Sequence, residues 1–415
     1  MPNIRGTLDN FRTTFKEDQA LLALFGALSG VVAALLMDLY GPDPDSSSLT
    51  ITVTQARAVL LSALALVWTG LSIVLALTAL TTGNMANKFS PRFLRMSLRH
   101  SNNKWVLSVF VLTASFIVTS QILLRTRDSD GPVPPGMLYT STALVVLTGA
   151  VIVLYIDSTL HWMRVDRAIR WIAQRIERAA RRHEHELRDD VVVSEINVTA
   201  SSESIDLVAR ESGYVVSIDT SRLDDLATRH GLDIVIETGT GDPVVRGERI
   251  GWLSPSTPLE DQDIFDVLDC VGVARDRDPD SDIAYTIHVL VDIGLMALSP
   301  AVNDPQTGVQ CIEALTQVFS DLAGQEIGIR TRVRSDGTAS VAVIEDTIGD
   351  WLDAAGRQLL LYGATDRTVT AALLRLGREG ERAAQSDRDR QLAAAFADDV
   401  DTVRDAGAGS QGRAW

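Results

Sequence analysis

The sequence predicts an α-helical membrane domain with four transmembrane helices, followed by an α+β domain. Three observations carry this. First, four apolar stretches near residues 20–40, 56–80, 105–124 and 138–156 are each long enough to cross the hydrocarbon core, which takes roughly 20 helical residues. Second, none has an ionisable residue at its centre; Asp38, Arg57, Arg125 and Asp157 fall at the ends. Third, charge divides unevenly. Residues 1–190 carry 19 Lys/Arg against 15 Asp/Glu, whereas residues 191–415 carry 19 against 39. A mildly basic, apolar half thus precedes an acidic half of water-soluble character. The acidic half argues against nucleic acid as a partner, because phosphates require a basic surface. The partner expected is the lipid bilayer.

The first span lies too far from the N-terminus, and lacks a small-residue cleavage site, to be a signal peptide. Orientation follows from the loops. Lys88, Arg92, Arg95, Arg99 and Lys104 lie between spans two and three without an acid. Asp43 and Asp45 follow span one, and Arg164, Arg167, Arg170, Arg175 and Arg178 follow span four. Both termini and the C-terminal domain are therefore expected on the cytoplasmic side of an inner (plasma) membrane. Arg92, Arg95, Arg99, Arg164 and Arg167 are candidates for lipid headgroup contact. Within the spans, Gly26 and Gly30 form a GxxxG pair suited to close helix packing, within or between subunits. The hydroxyls of spans two and three are open to pore lining, to helix–helix contact or to bonding back on their own helix. The spans carry no central carboxylate or His, which disfavours a proton-coupled carrier.

Residues 158–190 read as an amphipathic helix continuing span four. Trp162, Val165, Ile169, Ile172, Ile176 and Ala179 recur at spacings of three and four. That seam must be buried, either on the chain's own soluble domain or against a neighbouring subunit. His183-Glu184-His185-Glu186-Leu187 lacks the second His of a zinc-protease HExxH, so no metal is assigned. The two cysteines, Cys270 and Cys311, belong to no CxxC or Cys/His cluster. No cofactor is expected.

From 191 to 255 the pattern is that of a small β-rich subdomain, with strands at 191–193, 214–216, 233–236 and 244–245. A short helix from Ser221 to His230 is expected, capped by Thr220 or Ser221. Gly239-Thr240-Gly241-Asp242-Pro243 is a turn without the third Gly or following helix of a phosphate loop. Residues 256–282 read as an acidic linker around one short amphipathic segment at 264–268. Its end, Asp276 to Asp282, alternates carboxylates but fails the calcium-loop pattern, since Ser281 and Ile287 replace the required Gly and Glu.

Residues 283–396 are expected to be mainly helical. The most distinctive run spans Leu290 to Gly308. It reads as a helix over 283–298, a tight corner and a helix over 305–323. Pro300 stops the first helix, Asp304 caps the second and Pro305 takes its first position. Asp292, among apolar neighbours, is either exposed or held by a partner at the corner. A possible strand at 341–345 and helices near 349–362 and 366–385 follow. Residues 397–415 are expected to form a disordered tail.

The Leu-Val-Asp-Ile, Ala-Leu-Ser-Pro and Asn-Asp-Pro pieces of that run resemble the signature of a family of predicted bacterial multi-pass membrane proteins, domain of unknown function 2254. Gly213-Tyr214-Val215 with Ile218-Asp219, and Leu160-His161-Trp162, match as well, over about residues 10–380. The resemblance implies four spans upstream of the signature and supplies no activity. Members often carry a His pair at the membrane exit; here Trp162 follows His161. The signature marks Asp282, Asp292, Ser299, Pro300, Asn303, Asp304 and Pro305 as candidate structural or binding residues, with no catalytic assignment. The leading functional expectation is a homo-oligomeric, channel-like or regulatory scaffold with a cytoplasmic sensing or assembly domain. A membrane-tethered enzyme using Asp292, Ser299, Asn303 and Asp304 comes next, and a small-solute transporter last.

Overall fold

The computed structural model describes residues 19–40, 51–88, 90–93, 96, 104–126, 133, 135–162, 164–186, 191–193, 204–255, 259–278, 282–323, 325, 327–333 and 339–411. The chain divides into two units. The first comprises residues 1–87 and 94–164, the second residues 88–93 and 165–415.

In the first unit, α1 (Gln19–Tyr40), α2 (Val53–Lys88), α3 (Lys104–Arg125) and α4 (Pro135–Trp162) are four helices long and apolar enough to cross a membrane. Their outward faces stay greasy, with Leu24, Phe25, Leu66, Trp68, Val146 and Val153 exposed. Such faces suit lipid and not water. The GxxxG pair works inside the chain. A Cβ at Gly26 would lie 2.5 Å from the Ser108 carbonyl oxygen, and one at Gly30 would lie 2.3 Å from that of Leu112. Only glycine lets α1 approach α3 so closely. Leu60, Val67 and Val74 present one buried stripe of α2, packed with Phe110, Val151 and Tyr155. Hydroxyls couple the helices: Thr113 Oγ1 lies 3.0 Å from Thr148 Oγ1, and Thr78 Oγ1 lies 2.5 Å from the Tyr155 hydroxyl. Ser62, Thr69 and Ser72, by contrast, bond back to their own helix four residues earlier.

The main part of the second unit begins with α5 (Val165–Glu186). The expected uninterrupted helix over 158–190 is therefore two helices: α4 ends at Trp162 and α5 starts at Val165. The reason is the seam. Ala168, Ile169, Ile172, Ile176, Ala179 and Ala180 are buried against α8 (Ile283–Leu298) and α9 (Pro305–Leu322), so packing within this unit sets the direction of α5. His183 to Leu187 have no described side chains.

Between them lies the sheet region: β1 (Val191–Val193), β2 (Ile205–Val208), β3 (Gly213–Ile218), α6 (Thr220–His230), β4 (Leu232–Ile236), β5 (Pro243–Val244), β6 (Arg249–Pro255), α7 (Asp261–Leu268) and β7 (Val271–Ala274). After α9 come β8 (Ile329–Val333), β9 (Ala339–Val343), α10 (Ile348–Gly363), α11 (Arg367–Ala383) and α12 (Asp387–Gln411). The strands form a six-stranded sheet of order β1-β8-β9-β4-β6-β2 and a three-stranded sheet of order β5-β3-β7. All pairs are antiparallel except β4–β9, in register Ile234↔Val341 to Ile236↔Val343. Leu223, Leu226 and Ala227 of α6 pack with the face of β4 that carries Leu232, Ile234 and Ile236. Each buried leucine there contributes about 1.5–3 kcal/mol.

Four expectations need correction. Residues 256–282 are not simply a linker, because β7 pairs with β3 and Val267 and Cys270 are buried in the sheet's core. Residues 283–396 are not a separate helical subdomain, because β8 and β9 complete the six-stranded sheet. Helix α6 is capped by Asp219, whose carboxylate accepts the Arg222 N–H at 3.0 Å, and not by Thr220 or Ser221. The tail from 397 is helical as far as Gln411, since Ala393, Phe396 and Val400 of α12 are buried against α10 and α11.

Candidate functional site

The signature corner between α8 and α9 is built from backbone requirements. Ser299 ends α8 in an extended conformation, and its hydroxyl donates to the Met296 carbonyl at 2.7 Å. Asn303 takes the left-handed conformation at φ 49°, which asparagine tolerates better than most residues. Its N–H donates to the Ser299 carbonyl, and that of Asp304 to the Ala297 carbonyl, each at 2.8 Å. The Asp304 carboxylate accepts the Thr307 N–H at 3.1 Å and the Thr307 hydroxyl at 2.7 Å. Those two bonds hold its pKa below the usual carboxylate value. Pro305 takes the first helical position, and Pro300 is exposed. The Ser299 and Asp304 side chains of the corner thus bond locally, to its backbone and to the Thr307 hydroxyl.

Two of the candidate residues lie elsewhere. Asp282 caps α8 at its other end, 3 % exposed, accepting the Tyr285 N–H at 2.7 Å. Asp292 does not hold the corner. It is paired with Arg92, whose Nη1 donates to both carboxylate oxygens at 3.2 and 3.1 Å. One residue on, the Phe93 ring meets Trp171 of α5 edge-on at 6.3 Å, and the buried Arg175 guanidinium stacks over the same indole at 5.3 Å. Residues 88–93, the start of the connection between spans two and three, therefore belong to the second unit. Arg92, expected at lipid headgroups, pairs through Nη1 with Asp292 and stays half exposed. Arg164 and Arg167 are exposed, and Arg95 and Arg99 lie outside the described residues.

The structure also assembles a site that the motif reading passed over. The parallel strands β4 and β9 end side by side, the Ile344 N–H extending their ladder to the Ile236 carbonyl at 2.9 Å. Beyond these carboxyl ends lies a cavity of about 150 Å³, lined among others by Asp242, Arg277, Asp282, His288, Asp346 and Trp351. Crevices at the carboxyl ends of parallel strands are where open α/β sheets place ligands. The chain after β4 turns through Gly239-Thr240-Gly241-Asp242, and this turn is tied to β3 by bonds between Val215 and residues 241 and 242. Gly241 sits at φ 99°, and a Cβ there would lie 2.5 Å from the Arg277 guanidinium and 2.6 Å from the Asp282 carboxylate, so no side chain is tolerated there.

Two ion pairs brace this cavity. Arg277 grips Asp282 with two bonds, 2.5 and 2.9 Å long, and lies over the Tyr285 ring. Arg330, 3 % exposed, grips Glu345 at 2.9 and 2.8 Å, while Glu345 also accepts the Thr240 N–H and hydroxyl. Asp242 accepts the Gly239 N–H at 2.8 Å; burial pushes its carboxyl above the usual value against that bond. Burial and the Arg277 and Arg92 charges push the His288 imidazole below its usual value. Both thiols are raised by burial, Cys270 to about 11 and Cys311 further, which makes them structural and not nucleophilic. Among the described residues no cluster of three metal-ligating side chains occurs. In the sequence, Asp242 and Asp346 belong to no motif; the only signal was the Gly-Thr-Gly-Asp turn directly after a strand.

Comparison with known proteins adds a family. The model of a family described as a predicted membrane protein, DUF2254, matches residues 17–379. Uncharacterized proteins from Mycobacterium bovis and Mycobacterium tuberculosis are each 26 % identical over 359 residues, 85 % of this chain and 68 % of theirs. No solved structure matches.

Proposed function

The chain belongs to the DUF2254 family of predicted membrane proteins, and from that premise we propose that it is a regulatory membrane protein whose C-terminal domain acts on the helix bundle through the connection between spans two and three. One observation carries this reading: residues 88–93 belong to the second unit, pinned by Arg92 on Asp292 and Phe93 on Trp171. A shift of α8 or α5 would thereby reach residues 88–93, which follow directly on the helix of span two. The basic charge of the loop after span two and of the segment after span four supports a cytoplasmic position for both and for the C-terminal domain.

A channel-like oligomer draws less support. Of its three motivating features, the GxxxG pair and the seam of α5 are both used within one chain, and of the span hydroxyls Ser62, Thr69 and Ser72 bond back to their own helix. Hydrogen exchange of the full chain in lipid nanodiscs tests the regulatory reading. Residues 88–93 are expected to be protected, and Arg92→Ala or Asp292→Ala to lose that protection. The charge-swapped pair Arg92→Asp with Asp292→Arg should recover it. Exchange at 88–93 as fast as in an unstructured peptide would overturn the proposal.

A further inference from the structure

The cavity at the ends of β4 and β9 has a charge pattern that specifies an occupant. Its two braces cancel internally: Arg277 against Asp282 and Arg330 against Glu345. Asp242 and Asp346 also line it, and among the described residues neither is ion-paired. Asp242 is half-buried within the turn, whereas Asp346 is exposed at the edge. The Trp351 indole N–H lies beside Asp346 and favours its charged form. The lining thus offers two carboxylates without an ion pair among the described residues. Burial in turn raises the carboxyl of Asp242, the cost that an incoming positive charge would relieve.

We propose that this cavity binds a small organic molecule carrying a protonated amine, its N–H groups set against Asp242 and Asp346. The ligand class follows from the lining. A bare metal ion needs more ligating groups than converge here, an anion would meet uncompensated carboxylates, and a neutral polyol would leave both charges unrelieved. The volume of about 150 Å³ limits the occupant to a few heavy atoms beyond the amine.

The site also reaches the pinned connection, a step that rests on the regulatory reading above. Asp282 caps α8, while Ala284 and His288 on its first two turns line the cavity. One turn further, Asp292 holds Arg92. His288 feels the charges of Arg277 and Asp282 on one side and of Arg92 and Asp292 on the other. A ligand that moves the start of α8 therefore acts on the helix that holds Arg92.

Calorimetry on the full chain in detergent tests the site, with ethanolamine and putrescine as probes, ethylene glycol as the neutral control and magnesium chloride as the bare cation. Saturable binding of at least one amine is expected, with none by the glycol. Asp242→Asn keeps the capping oxygen and removes the charge, and should weaken binding at least about tenfold. Ala284→Phe fills the cavity without touching its charges and should abolish binding, with a retained melting transition showing that the variant is folded. Failure of both amines to saturate, binding unchanged in both variants, or saturation by magnesium alone would each overturn the proposal. Arg92→Ala should bind amine as wild type does. Hydrogen exchange at 88–93 that responds to amine in wild type supports the link to the spans. Exchange that is already fast without amine defeats the regulatory reading and leaves the site standing.

Discussion

Asp292, Asp304 and Glu345 are three carboxylates whose surroundings assign them different weights. Asp292 and Arg92 are 23 % and 52 % exposed, so their pair is screened and worth at most about 1 kcal/mol. Its role lies in where it holds the chain. Asp304 is an N-cap, and Asp304→Ala is expected to cost about 1 kcal/mol, read as a shift of the urea midpoint. Glu345 opposes the buried Arg330. Glu345→Ala strands that charge and should cost about 3–5 kcal/mol, whereas Asp292→Ala should leave the midpoint nearly unmoved. His288 supplies a pH signature. Its folded pKa lies below the usual 6.5, so the unfolded chain takes up the proton first. Stability contributed by the neutral imidazole is full above 6.5 and is lost as pH falls through the lowered value. Melting curves across that range should slope downward toward acid for wild type and less steeply for His288→Gln.

At the scale of elements, packing decides which sequence patterns mean what. Gly30 abuts the Leu112 carbonyl, whereas Gly83 has open space where a side chain would go. Gly30→Leu should destabilise the detergent-solubilised protein by about 1–3 kcal/mol, and Gly83→Leu should not, as thermal aggregation assays can compare. In α12, a composition rich in Asp, Ala and Gly conceals a helix whose Phe396 is fully buried, with its ring against Gly356 of α10. Phe396→Ala is expected to cost about 3–5 kcal/mol, measured by urea unfolding of the full chain. Helices with strong local signals, α8 to α11, were legible to within a few residues, because caps and proline positions are written locally. Strands β2, β6, β7 and β8 were not read as strands. β2, β7 and β8 are short, and what identifies all four is the neighbour each pairs with.

For the whole molecule, the bilayer-crossing segments were legible because lipid is a solvent that each helix meets separately. The candidate cavity was not, because Asp242 and Asp346 come together only through the β4–β9 pairing. The signature run drew attention to its corner, where the geometry answers to turn chemistry. The cavity lies at the other end of α8, beside its cap Asp282.

That β4–β9 pairing has a temporal consequence. Ile234 must wait for Val341, so during synthesis the four spans enter the bilayer while the sheet beyond them still has an open edge at β4. Between those moments the nascent domain carries an unsatisfied strand beside a membrane surface, a state prone to pairing with other chains. A chain stopped before residue 339 should therefore insert normally yet be degraded or aggregate, leaving quality control of this protein to sense whether β9 has been made.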